Sequence, residues 1–179
     1  MKKEILFLAA LATCLSSFGQ TFEKTAQGGK FQTAQPTLNG EVIFYSPSIV
    51  RIVKYPSAEM PEKKSYPVIK TPEKVEISYK QNGNTVCMTS GKMTVTLDVA
   101  TGKVTYTDLK GETLLKEKVE GTNFIPRKDV NRDAFTVSQA FSLEPEEAIY
   151  GLGQRQSGAM HHRNQQIHLS NGTTNICIP

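Results

Sequence analysis

Between Tyr150 and Thr173 the sequence gathers most of the side-chain types that could do chemistry: a Gly-x-Gly turn, paired histidines, two arginines and several amides. Tyr150-Gly151-Leu152-Gly153-Gln154 has the first two glycines of a dinucleotide fingerprint. It lacks the third glycine, the preceding parallel strand and the following helix that cradle a pyrophosphate. The glycines read instead as a tight turn where a side chain would clash. His161, His162 and His168 are the only histidines. Neighbours on a strand point to opposite faces, so His161 and His162 do not converge on one ion. No carboxylate lies between Arg155 and Pro179 to complete a metal site. Exposed or partner-facing histidines are therefore expected. Glu144, Glu146 and Glu147 flank Pro145 in a polar turn, where carboxylates are solvated rather than paired for acid–base work. Ser157 has no nucleophile elbow around it. Asn171-Gly172-Thr173 matches a glycosylation sequon. No complete catalytic constellation emerges, and no cofactor or metal is called for. What remains is an amide-rich, glycine-rich edge, which suits sugar hydroxyls and equally suits a plain loop.

The elements that must carry this edge are strands. Val75, Ile77 and Tyr79 alternate with polar residues, as do Met93, Val95, Leu97 and Val99. A period of two marks a half-buried strand. Gln81-Asn82-Gly83-Asn84 predicts a hairpin turn in which Asn-Gly takes positive φ angles, with Thr85 to Thr89 returning. Ser90-Gly91, Thr101-Gly102 and Asp108 to Gly111 predict further turns, with Lys103 to Thr107 between the last two and Leu114-Leu115 after them. Glu41 to Tyr45 and Ile49 to Val53 form a strand pair around Ser46-Pro47-Ser48. Ala134 to Leu143 sets Phe135, Val137, Phe141 and Leu143 on one face, with Gln139 interrupting it. Ile167 to Leu169 and Asn175 to Ile178 read as short closing strands. No helix is expected; Glu112 to Val119 is charged but tightly bracketed by Gly111 and Gly121. Pro56 to Pro72 reads as a long exposed loop or edge segment, because proline cannot donate to a ladder. Turns every 8–12 residues predict an all-β sandwich or barrel.

The first 19 residues stand apart. Lys2 and Lys3 precede the apolar run Ile5 to Leu15, and Ser17-Phe18-Gly19 offers small residues before Gln20. This is the pattern of a secretory signal. The run is too short to span a bilayer, which takes about 20 apolar residues. Leu11-Ala12-Thr13-Cys14 also resembles a lipoprotein signal, although Thr13 suits its position poorly. The expectation is a domain over residues 20–179, incomplete at its C-terminal end because Asn175 to Pro179 stops inside an apolar strand. Secretion to the periplasm or medium is expected, with outer-membrane lipid anchoring as the alternative. Removing Lys2, Lys3 and Glu4 lowers the formal charge from +4 to +3. That excess is scattered, so no nucleic-acid surface is expected. Cys87 and Cys177 are expected as buried free thiols, with a disulfide as the alternative.

The order of these pieces resembles a known family. The run from Phe141 to Gln154, FSLEPEEAIYGLGQ, resembles the signature near the end of the N-terminal domain in glycoside hydrolase family 31. Ser90 to Asp98, the hairpin Val104 to Leu115 and the strand Ile176 to Pro179 resemble its neighbouring elements, so the likeness covers most of Phe22 to Pro179. It implies a galactose-mutarotase-like β-sandwich packed against the enzyme's own (β/α)8 catalytic barrel. It implies a retaining α-glucosidase or α-xylosidase acting on oligosaccharides, with a carboxylate pair about 5–5.5 Å apart in the barrel and no catalytic residue in this chain. It also implies that the segment after Gln154, closing at Ser170 to Thr173, borders the sugar subsite. Gln154, Asn171 and Thr173 are then the substrate-binding candidates. The Gln154 run leans toward α-xylosidase-like members, while Asn171-Gly172-Thr173 departs from the Q-x-N of some members. A different class also fits the residues: a stand-alone carbohydrate-binding β-sandwich without catalysis.

Overall fold

The computed structural model describes residues 20–34, 38–56, 65–154, 158, 160–172 and 176. The chain divides into two compact units, Met1–Phe141 and Ser142–Pro179. Among the described residues there is no helix.

The first unit is an antiparallel sandwich. Strands β1 (Thr21–Thr25), β2 (Gly28–Gln32), β3 (Asn39–Ser46) and β4 (Ile49–Tyr55) form one sheet in chain order. The other sheet runs β10-β9-β8-β7-β6-β5. Its strands are β5 (Ser78–Asn82), β6 (Thr85–Thr89), β7 (Met93–Asp98), β8 (Lys103–Asp108), β9 (Thr113–Asp129) and β10 (Arg132–Phe141). Within each sheet every connection is a hairpin, while residues 56–77 carry the chain from β4 in the first sheet to β5 in the second; polar side chains fix several of the turns. Ser90 Oγ accepts the N–H of Lys92 and of Met93 at 3.2 Å each. Asp98 accepts the Ala100 N–H at 3.0 Å and the Thr101 hydroxyl at 2.8 Å. Asp108 accepts the Lys110 and Glu112 N–H groups, both at 2.8 Å.

Alternation supplies the core. Met93, Val95 and Leu97 are buried on β7, with Thr94, Thr96 and Asp98 on the other face. Phe31, Val42 and Phe44 from the first sheet pack against Val86, Met88, Val95, Leu97 and Val104 of the second. Fully burying one such side chain contributes about 1.5–3 kcal/mol. Tyr79 ties the sheets at one end, its hydroxyl donating to the Gly28 carbonyl at 2.8 Å.

At the other end the tie is ionic. Lys54 Nζ donates to Glu117 Oε2 at 2.6 Å and to Thr122 Oγ1 at 3.0 Å. Glu117 Oε2 also accepts the Val104 N–H at 2.8 Å. The Thr122 hydroxyl donates to Gln139 Oε1 at 2.5 Å. Both charged side chains are nearly closed to solvent, at 7% and 5% exposure. Burial outweighs the attraction of Glu117 and holds the Lys54 ammonium below the usual lysine range. Burial also pushes the nearby Tyr106 phenol well above its ordinary value, reinforced by the charge of Glu117.

A bulge makes this network possible. Gln139 pairs with Thr122, but Phe141 pairs with Glu117, so four residues of β9 face one residue of β10. Glu120 takes φ 54° there. Because strand faces alternate, this insertion lets Glu117 and Thr122, five residues apart, both point inward.

Several expectations need correction. The β5–β6 turn is centred one residue later than Asn82-Gly83: Asn82 pairs with Thr85, and Gly83 carries the positive φ at its first central position. This is the glycine position of the other primed turn. Ile167 to Leu169 is not a strand, since three residues without a ladder partner have nothing to hold them extended. Of Asn175 to Ile178, only Ile176 lies among the described residues. Residues 1–19, with the expected leader, and residues 57–64 of the expected loop lie outside them; 65–72 is irregular and mostly exposed. Cys87 is a free thiol, half-buried rather than buried, because it points to the outer face beside Thr96. Cys177 lies outside the described residues.

Candidate functional site

The candidate edge belongs to the second unit. Gly151, Leu152 and Gly153 take φ of 91°, 64° and 91° in succession, left-handed backbone that the two glycines adopt freely and Leu152 only at a steric cost. The chain reverses within these residues. Gln154 then forms an antiparallel bridge with Ile176, its N–H donating at 2.9 Å and its carbonyl accepting at 3.1 Å. The segment between them is thereby closed at its base.

A second set of bonds fixes the middle of the segment. The His162 N–H donates to the Ile149 carbonyl at 2.8 Å, and the Gln165 N–H to the His162 carbonyl at 3.2 Å. Arg163 Nη1 donates to the carbonyls of Glu144 at 2.8 Å and Glu147 at 2.6 Å. The guanidinium thus latches onto the Glu144–Glu147 turn, whose own ends are joined by the Glu144 N–H donating to the Glu147 carboxylate at 3.0 Å. These carboxylates are exposed and cap a turn.

The outcome is an open hollow of ≈360 Å³ walled by Tyr150, Gly153, Gln154, Met160 and His162. Tyr150 is 65% exposed and packs edge-on to His161, with ring centroids 5.8 Å apart. An exposed ring beside a carboxamide and a ring nitrogen offers an apolar platform with hydrogen-bonding groups at its rim. That is the chemistry a sugar needs, since its ring has C–H faces and hydroxyl edges.

Of the candidates named from sequence, Gln154 lies at this hollow. Asn171 is exposed and is not among the described residues that wall it. Thr173 lies outside the described residues. His162 was expected to be exposed or partner-facing; it is 7% exposed, because its backbone is held under Ile149 and its ring faces Gln165. Sequence reasoning missed Tyr150 and Met160 as wall residues. The available signal was two exposed apolar side chains flanking a turn. Among the described residues no cluster of His, Cys, Asp and Glu is placed to hold a metal ion. No helix among them is long and apolar enough to cross a membrane.

Residues 40–173 match the family profile of the glycosyl hydrolase 31 N-terminal galactose mutarotase-like domain. The chain belongs to that family. Its two antiparallel sheets are the family's β-sandwich. Among curated proteins, alpha-glucosidase 2 of Bacillus thermoamyloliquefaciens is 30% identical over 140 residues, covering 78% of this chain and 16% of that protein. Among solved structures, a GH31 alpha-xylosidase from Xanthomonas citri superposes with a TM-score of 0.80 at 23% identity, covering 88% of this chain and 17% of that one. The family 31 chain thus spans about a sixth of the length of the relatives it matches. Its matched relatives are glycoside hydrolases, which places it in a glycosidase context.

Proposed function

We propose that this chain is the N-terminal sandwich of a secreted, retaining α-glycosidase acting on α-xylosides or α-glucosides of oligosaccharides. In this reading the catalytic carboxylates lie in a (β/α)8 barrel elsewhere in the enzyme, and the Gln154–Thr173 segment borders the sugar subsite. The observation that supports it is the Gln154–Ile176 bridge, which closes that segment at its base and leaves Gln154 beside the exposed ring of Tyr150. A closed, amide-bearing loop can contribute to sugar binding while another domain breaks the bond.

The test uses the full-length enzyme with aryl α-xylosides and α-glucosides. Gln154→Ala and Asn171→Ala are each expected to raise KM about 5- to 20-fold with little change in kcat, the mark of binding equal in ground and transition states. Unchanged KM in both variants sinks the subsite assignment. The 179-residue chain alone is expected to show no hydrolysis.

A further inference from the structure

Arg163 is not among the residues that wall the hollow at Tyr150, yet it joins the hollow's two sides. One side, Tyr150 to Gln154, follows the chain that leaves the Glu144–Glu147 turn; the other, Met160 and His162, belongs to the chain coming back. Two sets of hydrogen bonds span the gap. The His162 N–H donates to the Ile149 carbonyl at 2.8 Å. Arg163 Nη1 donates to the Glu144 carbonyl at 2.8 Å and to the Glu147 carbonyl at 2.6 Å. The Tyr150–His161 ring pair also crosses, but both rings are exposed. The local chain is shaped for the reach of Arg163. His162 to Gln165 is a turn closed by the Gln165 N–H on the His162 carbonyl at 3.2 Å, with Asn164 at φ 61° in its third position. Asparagine tolerates that left-handed backbone better than most residues. Arg163 takes the second position, next to the wall residue His162. Its acceptors are also prepared. The Glu144 carbonyl already accepts the Glu147 N–H at 3.1 Å, and its second lone pair serves Arg163. One guanidinium nitrogen carries two N–H bonds, one for each carbonyl.

We infer that Arg163 is a positioning residue for sugar binding: it holds Met160 and His162 at a fixed distance from Tyr150 and Gln154, and so sets the width of the hollow. The inference rests on the reading above that this segment borders the sugar subsite, and adds to it a residue that does not itself meet the sugar. Packing alone does not hold the two sides together, since Tyr150 is 65% exposed and Met160 79%. Hydrogen bonds from a charged donor are about twice as strong as neutral ones, which makes Arg163 the firmest link between them. Both of its acceptors are main-chain atoms, so the latch fixes backbone rather than one flexible side chain. Without it the returning chain keeps the His162–Ile149 bond and the Gln154–Ile176 bridge, and the middle of the segment must be ordered when sugar binds. That ordering is subtracted from affinity.

The experiment uses the full-length enzyme with aryl α-xylosides and α-glucosides. Arg163→Met keeps an apolar stem and removes the donors. It is expected to raise KM about fivefold or more with kcat within about twofold. Arg163→Lys, which keeps a charged donor, is expected to recover part of that loss. Combined with Gln154→Ala, the two KM effects should fall short of multiplying, because both act on one subsite. Hydrogen exchange, read by mass spectrometry on peptides containing the His162 amide, should quicken about tenfold in Arg163→Met while the strands of the sandwich stay as protected as before. Unchanged exchange there overturns the inference and leaves the proposed function standing. So does an unchanged KM in Arg163→Met where Gln154→Ala raises it, full multiplication of the two effects, or an Arg163→Lys enzyme no better than Arg163→Met. An unchanged KM in both Gln154→Ala and Asn171→Ala defeats the subsite reading itself, and the inference with it.

Discussion

Lys54 shows how one residue can cost stability and organise its surroundings. Its ammonium has lost most of its water, and among the described residues Glu117 and Thr122 replace that solvation. Lys54→Met leaves the Glu117 carboxylate buried without a counter-ion. Removing one partner of such a pair typically costs about 3–5 kcal/mol. Denaturant melts of Lys54→Met should show a loss of that order, and the double variant with Glu117→Leu should recover a large part of it. A single-variant loss under about 1 kcal/mol would mean the pair is effectively solvated. The phenols set the alkaline limit. Burial raises Tyr106, Tyr55 and Tyr79 above the ordinary phenol value of about 10. Above that pH the unfolded chain loses phenolic protons that the folded chain keeps, so stability falls as pH rises. Lys54 acts in the opposite sense: its folded value lies below 10.5, so stability rises between that value and 10.5. Melting curves from pH 8 to 12 should therefore turn downward past about pH 10, and Tyr106→Phe should flatten the fall. An unchanged slope in that variant would remove Tyr106 as a contributor.

The bulged hairpin β9–β10 supplies Glu117, Thr122 and Gln139 to the buried polar network around Lys54. Gly121 sits inside the bulge, where an added Cβ would approach the Ala140 carbonyl at 2.7 Å and the Lys118 carbonyl at 2.8 Å. Gly121→Ala must open the bulge, at about 1–3 kcal/mol as for other overpacked sites. Because the bulge holds Glu117 and Thr122 on one face, the same variant should also weaken the coupling between Lys54 and Glu117 in a double-mutant cycle. A coupling energy unchanged within error would show that the bulge does not position the pair. The element also explains what the sequence reveals. Strands β6 to β8 were readable because each has apolar residues at every second position, and β3 was readable as a short apolar run; β5 was placed three residues early, because Val75 and Ile77 alternate with polar residues whereas the paired strand is Ser78–Asn82. The polar interruption of β10 at Gln139 was visible too, and its reason is the hydrogen bond from Thr122. Strand β9 was not readable, because it is charged, mostly exposed and shifts its inward parity at the bulge. Strands β1 and β2 were missed because Gly28 and Gly29 look like a loop; a Cβ on Gly28 would land on the Val42 carbonyl, so the glycine is there for clearance. At the candidate site the turn of Gly151 to Gly153 was legible from glycine spacing, whereas the burial of His162 depends on the Ile149 carbonyl, which no local pattern announces.

At the scale of the whole molecule, the proposal that residues 1–19 are a secretory leader makes a prediction about where the chain works. Lys2 and Lys3, the run Ile5 to Leu15 and Ser17 to Gly19 have the three-part form of a cleaved leader. If that reading holds, the mature protein begins at Gln20, immediately before β1, and the sandwich loses nothing, since its first strand starts at Thr21. The competing route runs through Cys14, which would become the lipid-bearing first residue and leave five residues of tether ahead of Gln20. The two outcomes differ in mass and in partition. Intact-mass measurement on the protein from its native host should give an N-terminus at Gln20 and recovery in the soluble extracytoplasmic fraction. A lipid-bearing N-terminus at Cys14, abolished by Cys14→Ser, would instead establish anchoring, and an unprocessed Met1 would defeat both. The choice also bears on the glycosidase reading, because a sandwich bound for the outside of the cytoplasm meets oligosaccharides there rather than metabolites of the cell interior.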